Sequence, residues 1–322
     1  MTRLPAIGLV GSGRAARALA AALGRCPGFS RGLLLARDTA ACRRLSAETA
    51  FEAAGTPEDL LRGAEWLLLA VRDDAIEEVA HRLAAARGRA SGTAGARVAL
   101  HLAGARTRDA LAPLADRGLD CGVFHPVVAL ADGDSAARLR GATATISGDP
   151  EARGAGRRLA EALGMIPLEI DDAARPLVHA ACVMAAGDVV SLLGLAEELL
   201  DRAGVPLRDA RRLVGALAGS AVEGYRALGA VAGLTGPVAR GDAGTVARHR
   251  EALDGAAPAA GAAHGPLLEA ALRRLVSAGR LTPDDAARLA RAAGLPDAGP
   301  AGTTRSGPAS PRKPDRPRSD DR

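Results

Sequence analysis

Between Pro5 and Ile170 short apolar runs alternate with longer stretches whose apolar residues recur at helical spacing. Residues 5–10, 33–36, 66–71, 98–102 and 121–124 are the clearest runs, and 142–146 and 165–170 repeat the pattern. Runs of strand length that are apolar on both faces and alternate with helices predict a parallel sheet covered on both sides. Helices are expected between them, for example over 75–86 and 151–163. After Asp171-Asp172 the strand pattern stops. Helical segments are predicted near 173–203, 207–230, 242–254, 259–278 and 283–293, with Gly204, Gly233, Gly236 and Gly294 punctuating their ends. Thr282-Pro283-Asp284-Asp285 is a helix start, with a capping side chain, proline in the first turn and acidic residues behind it. From Ala298 onward almost nothing can be buried, which predicts disorder. The expected organisation is an α/β domain over 1–170, an all-α domain over 171–297 and a disordered tail over 298–322.

Composition narrows the chemistry. At 322 residues the chain has room for two domains, and with 48% apolar but only 2% aromatic residues its core must be built from Leu, Val and Ala. The net charge is +5, and the stretch 299–322 alone holds six basic and three acidic residues, so the body is close to neutral. The tail lacks interleaved aromatics, and no nucleic-acid partner is expected. Cys26, Cys42, Cys121 and Cys182 are scattered without a CxxC pair, as expected of reduced thiols in a cytoplasmic protein, and no metal site is expected. No signal-peptide pattern opens the chain, and no stretch reaches the roughly 20 apolar residues of a membrane span. The sole lysine is Lys313 in the tail and the sole tyrosine is Tyr225, so the body offers no lysine for Schiff-base or acid chemistry and no Tyr-x-x-x-Lys pair.

The first apolar run leads into Gly11-Ser12-Gly13-Arg14-Ala15-Ala16 and then an Ala/Leu-rich helix to about Gly24. In this spacing Gly11 allows a tight turn, Gly13 leaves room for a pyrophosphate and Ala16 lets the helix pack against the strand. Phosphates then sit at the helix N-terminus, where free N–H groups and the dipole favour anions. This is the dinucleotide-binding signature of a Rossmann domain, with a doubly wound parallel sheet. Gly11, Ser12, Gly13, Arg14, Ala16 and Val71, at the end of the 66–71 strand, are the expected cofactor contacts. Past the second strand stand Arg37 and Asp38. An arginine there pairs with the 2′-phosphate of NADP, whereas an acidic residue holds the ribose hydroxyls of NAD. With Arg37 nearest the strand end and Asp38 placed to cap the next helix, NADP is favoured over NAD.

With these landmarks the chain resembles the bacterial Rossmann-like proteins that carry a C-terminal domain of unknown function 2520. These are relatives of pyrroline-5-carboxylate reductase and the 6-phosphogluconate dehydrogenase-like group. The stretches that carry the resemblance are GLVGSGRAARAL (8–19), LLLAVRDDAI (67–76), HLAGA (101–105), VFHPVVAL (123–130), LVHAACV (177–183) and LTGPVARGD (234–242). The chain departs from the family at Ala103, where a serine is usual, at Val178, where a tyrosine is usual, and at Ala186-Gly187, where a Ser-Asn pair is common. The resemblance implies that the long helix opening the second domain lies across the cofactor cleft, and that the helical domain pairs two chains.

His101 and His125 follow the C-terminal ends of two strands, where doubly wound sheets bind ligands. His101 is expected to touch the cofactor. His125, and His179 near the start of the long helix, are the expected proton donors, one from each domain across a shared cleft. Thr235 and Arg240, in a Gly/Pro-rich turn, are expected to contact substrate, with Asp242 capping the helix that follows. His249 reads as structural, and His81 and His264 show no supporting pattern. The expected protein is a homodimeric NADP-dependent oxidoreductase acting on a small carbonyl, imine or hydroxy compound in the interdomain cleft. The alternative is a catalytically silent NADP(H) sensor or scaffold, which the lost polar groups favour.

Overall fold

The computed structural model describes residues 3–29, 31–89, 95–129 and 136–296; the predicted tail lies outside them. By internal contacts the chain divides into two compact units that meet at Val189/Val190.

In the first unit β1 (Ile7–Val10), β2 (Gly32–Leu35), β3 (Phe51–Ala53), β4 (Trp66–Leu69), β5 (Val98–His101), β6 (Asp120–Val127), β7 (Thr143–Gly148) and β8 (Ile166–Glu169) form one sheet. Its order is β3-β2-β1-β4-β5-β6-β7-β8. The helices between the strands are α1 (Arg14–Gly24), α2 (Thr39–Glu48), α3 (Pro57–Gly63), α4 (Ile76–Arg89), α5 (Ala112–Ala115) and α6 (Pro150–Ala162). Successive strand residues point to opposite faces, and the core divides accordingly. Leu68 and Leu100 pack with Leu19 and Leu159 on one face, while Leu67, Leu69 and Ala99 pack with Leu60, Ile76 and Leu83 on the other. Both faces are dry, as the uniform apolar runs predict. Strand order reverses between β1 and β4, and the ends of these two strands mark the crevice of a doubly wound sheet.

Two features depart from the sequence reading. The sheet is not wholly parallel, because β7 runs antiparallel to β6, with His125 opposite Thr145. A parallel neighbour needs a crossover of a dozen or more residues, usually a helix. The described part of the β6–β7 connection holds a single 3₁₀ turn, Ala137–Leu139. The short β3 is also new. Only Phe51 of its three residues is buried, stacking on Phe29 at 5.2 Å between ring centroids, so it carries no apolar run to detect.

The chain is helical from Asp172 to Arg202, as α7 (Arg175–Val183), a π turn at Met184–Asp188 and α8 (Val189–Arg202). α9 (Leu207–Ala232) breaks at Gly229, whose φ of +76° only glycine adopts easily, and α10 (Ala243–Ala256), α11 (Pro258–Ser277) and α12 (Pro283–Ala292) follow. Thr282 caps α12 through the Asp285 N–H at 3.1 Å, as predicted. The second unit has its own small core of Val246, Leu268, Leu272, Leu289 and Ala290. By length and composition, the helix Asp172–Arg202 is apolar enough to cross a membrane. An 18-residue window of it has a mean hydropathy of 1.8 and no buried residue, although no unbroken apolar run of that length occurs in the sequence.

Candidate functional site

The turn after β1 contains two glycines with different duties. Gly11 has φ of +122°, and a Cβ there would lie 2.3 Å from the Ala70 carbonyl oxygen and 3.5 Å from Val71, so the fold itself requires glycine. Gly13 has an ordinary φ of −73°, and a Cβ on it would meet nothing within 4 Å. Packing does not explain this glycine. What its missing Cβ preserves is open space in front of α1. Gly13 caps α1 without a side-chain hydrogen bond, and no acidic residue stands in the first turn, so the N-terminal N–H groups are left for an anion. Ala16 is fully buried, as helix–strand packing demands, and Arg14 is exposed at the first position of the helix. The Ser12 carbonyl accepts from Arg17 Nε at 3.3 Å, bracing the turn from outside.

At the end of β2 the two candidate selectors separate. Asp38 accepts from the Ala40 and Ala41 N–H groups at 2.9 and 3.0 Å, and these bonds, the Ala41 one foremost, hold its carboxyl below the usual range. Its carboxylate is occupied as the α2 cap. Arg37 is exposed and has no ion pair or hydrogen bond from its side chain among the described residues. The open cradle at Gly13, the uncapped α1 and the free Arg37 together fit a phosphorylated dinucleotide.

The second cluster lies past β5, at the same end of the parallel strands. His125 and His179 meet edge to face, with ring centroids 5.6 Å apart. His125 Nδ1 donates to the Leu102 carbonyl at 2.9 Å, which leaves Nε2 as the lone-pair nitrogen of the neutral ring. Burial holds the pKa of His125 below the ordinary histidine value, and the nearby His179 and Arg175 act in the same direction against the Leu102 carbonyl and Asp73. Gly104 is wedged at the pair, where an added Cβ would lie 2.1 Å from His179 Cδ2 and 2.8 Å from His125 Nε2. The arrangement can accept a proton on a neutral imidazole and pass it along a short path.

A buried polar network holds this corner. Ser147 Oγ donates to Asp172 at 2.5 Å and accepts from Arg175 Nε at 2.7 Å; the other carboxylate oxygen of Asp172 accepts the Arg108 N–H at 3.0 Å. Arg108 also pairs with Asp149, which takes the Cys121 N–H at 2.9 Å. Arg175, Gly104, Ser147 and Asp172 were not among the residues singled out from sequence. One signal was available: Arg175 is a lone cation opening a highly apolar helix, four residues before a histidine.

The remaining predicted residues fall as follows. His101 is completely buried, its Nε2 donates to the Thr107 carbonyl at 3.0 Å and its Nδ1 accepts the Ala103 N–H at 3.2 Å. With both nitrogens taken, the ring braces the 101–107 loop and has none left for the cofactor contact expected of it. Its burial lowers its pKa to about 4. His125 and His179 both belong to the first unit, because the division falls after α7, whose first turn Arg175 ties to the sheet. Thr235 and Arg240 are exposed in the second unit, on the turn before α10, where Asp242 caps the helix through the Thr245 N–H at 3.0 Å. Ala103, at the family's serine position, packs into the core, while Ala186 and Gly187 are exposed. Burial pushes the Cys121 thiol up to about 12, leaving it inert, and no group of three or more metal-binding side chains occurs among the described residues.

Family models match in two places: a Rossmann-like domain over residues 1–126, and the family described as Domain of unknown function (DUF2520) over 142–277. The chain carries a Rossmann-like domain followed by a DUF2520 domain. The DUF2520 match begins within the sheet and takes in β7, α6 and β8, so Thr145, Ser147, Arg175 and His179 belong to it, while Gly104 and His125 belong to the Rossmann-like match. No curated protein matches the chain by sequence. Among solved structures, protein TM1727 from Thermotoga maritima is similar over 85% of this chain and 100% of its own, at 18% identity and a TM-score of 0.66. An imine reductase variant from Myxococcus stipitatus in complex with NAD+ covers 90% of this chain and 99% of its own, at 15% identity and a TM-score of 0.59. A pyrroline carboxylate reductase from Plasmodium falciparum with NADP bound covers 70% of this chain and 80% of its own, at 12% identity and a TM-score of 0.51. At these identities the likeness is one of fold.

Proposed function

We propose that this Rossmann–DUF2520 chain is an NADP-dependent oxidoreductase acting on a small carbonyl, imine or hydroxy compound. The observation that carries the reading is Gly13, a glycine the protein's own packing does not need, at an uncapped helix N-terminus on the same sheet end as a contacting histidine pair. Gly11, Ser12, Gly13, Arg14, Ala16 and Val71 would hold the dinucleotide, with Arg37 on the 2′-phosphate. The cofactor, when bound, supplies a hydride. His125 and His179 hold and move the accompanying proton, since the body has no lysine to do so. Similar folds include reductases that act on imines and pyrroline carboxylate, which supports the reaction class.

The test is a screen of small imines, keto acids and aldehydes by NADPH absorbance, followed by His125→Gln and His179→Gln. Each replacement keeps a hydrogen-bonding group and removes the titratable one. Rates are expected to fall roughly a hundredfold with NADPH affinity unchanged. Full activity in both variants contradicts the relay. Tight NADPH binding with no turnover on any class favours the sensor reading, which the apolar residues Ala103, Val178 and Ala186 support.

The reading extends to a cytoplasmic homodimer. Val190, Leu192, Leu213, Leu217 and Leu228 on α8 and α9 are exposed, and Leu217 also walls an apolar cavity of about 940 Å³ formed with α10 and α11. A second copy supplies the same surface in return, the self-complementarity of a two-fold interface. Light scattering at micromolar concentration is expected to give a dimer, and Leu217→Glu to weaken it. A monomer that floats with lipid vesicles would replace the dimer by a membrane-bound form.

A further inference from the structure

The guanidinium of Arg175 is fully buried and donates to three oxygens: Ser147 Oγ at 2.7 Å, the Gly104 carbonyl at 3.3 Å and the Thr145 carbonyl at 3.1 Å. Two of these contacts, and the helix that carries Arg175, lead to the histidine pair. Thr145 stands directly opposite His125 in the β6–β7 ladder. Gly104 lies against both rings, so close that a Cβ on it would clash with each. His179 follows Arg175 by four residues, one turn along the same face of α7. A buried cation is costly unless paired and fully hydrogen-bonded, and apolar residues usually join a helix to a sheet at lower cost. Here the ion-pair partner is Asp172, 3.7 Å away and shared with Ser147 and the Arg108 N–H. Burial lowers the Arg175 pKa to about 10, so it remains a cation at neutral pH.

We propose that Arg175 is the positioning residue of the His125–His179 pair, setting the distance and angle between the rings from one buried guanidinium. The purpose of that positioning rests on the proton-relay reading above; the geometry does not. The charged and titratable groups facing His125 are Arg175 and His179 from α7 and Asp73 from the turn after β4, with the Leu102 carbonyl on Nδ1.

Proton–nitrogen spectra of the histidine rings, recorded across pH without cofactor, test this directly. The parent should show His125 with its neutral-state proton on Nδ1 and cross-relaxation between the two rings. Arg175→Met should abolish the ring-to-ring signal and raise the His125 titration midpoint, because the cation that opposes a charged ring is gone. Arg175→Lys restores the charge without the planar fork, so the midpoint should return towards that of the parent while the ring-to-ring signal stays lost. Where an Arg175 variant fails to fold, Ser147→Ala, which removes the acceptor of the shortest bond, should weaken the ring-to-ring signal in a folded chain. Folded variants that lose melting temperature yet keep the parent's ring signals and midpoint overturn the proposal and leave Arg175 a staple. Failure of the parent to bind NADPH overturns the oxidoreductase reading alone, because none of these ring measurements involves cofactor.

Discussion

The turn after β1 and the corner after β5 stand at the same end of one sheet and are built by opposite means. The turn works through what is missing: no Cβ on Gly13, no capping side chain and no acidic residue in the first turn of α1, so backbone N–H groups and space are all it offers. The corner works through buried side chains. A cation, a carboxylate, a hydroxyl and three imidazoles are packed so that both His101 nitrogens, His125 Nδ1 and the Arg175 guanidinium have designated partners, while His125 Nε2 stays open towards His179. Backbone N–H groups suit a phosphate, which needs donors and no protonation change. Imidazoles suit a proton, provided burial and neighbours hold them neutral near pH 7. Under the proposed function, the two halves of a hydride transfer fall to different materials.

The largest expected effect lies in the corner and concerns stability. His101 has its proton affinity lowered from an ordinary pKa of 6.5 to about 4, first by desolvation. Between those values the unfolded chain holds a proton that the folded chain refuses, so acid favours unfolding. The contribution of His101 is fully present above about pH 6.5 and is lost as pH falls towards 4, amounting to about 3 kcal/mol. Denaturant unfolding at a series of pH values should show that loss, and His101→Gln should flatten it. A wild-type profile with no slope over this range would mean that His101 is hydrated and the corner looser than described.

A smaller effect sharpens the other side. If Arg37 holds the 2′-phosphate as proposed, Arg37→Ala should weaken NADPH by about thirtyfold, or about 2 kcal/mol, and leave NADH nearly unchanged, because it removes one charge-assisted contact. Equal loss of both cofactors in calorimetry would make Arg37 structural and return the choice of cofactor to Asp38, against its use as the α2 cap.

The two regions also differ in how far the sequence disclosed them. The glycine turn is contiguous, and each of its positions has a steric reason, so Gly11, Gly13 and Ala16 could be assigned duties before any coordinates. The helices after residue 171 were equally open to reading, since Thr282, Asp242 and the punctuating glycines mark ends by local chemistry. The corner is different. Its members come from positions 101, 104, 125, 145, 147, 172, 175 and 179, and the antiparallel return of β7 brings Thr145 and Ser147 beside β6. Strand direction there depends on a connection with no crossover helix among its described residues, which periodicity does not report. His101, read as lying just past its strand, is instead the last residue of β5, and tertiary burial turns its ring into a brace.

The central claim is that the space at Gly13 belongs to a dinucleotide, and calorimetric titration of NADPH into the parent and Gly13→Asp tests it most directly. The fold does not use that space, so the variant should keep the parent's melting temperature. Its carboxylate would face the phosphates, and affinity should fall by orders of magnitude. Equal NADPH affinity in the folded variant and the parent, or no binding by the parent at all, would contradict the account.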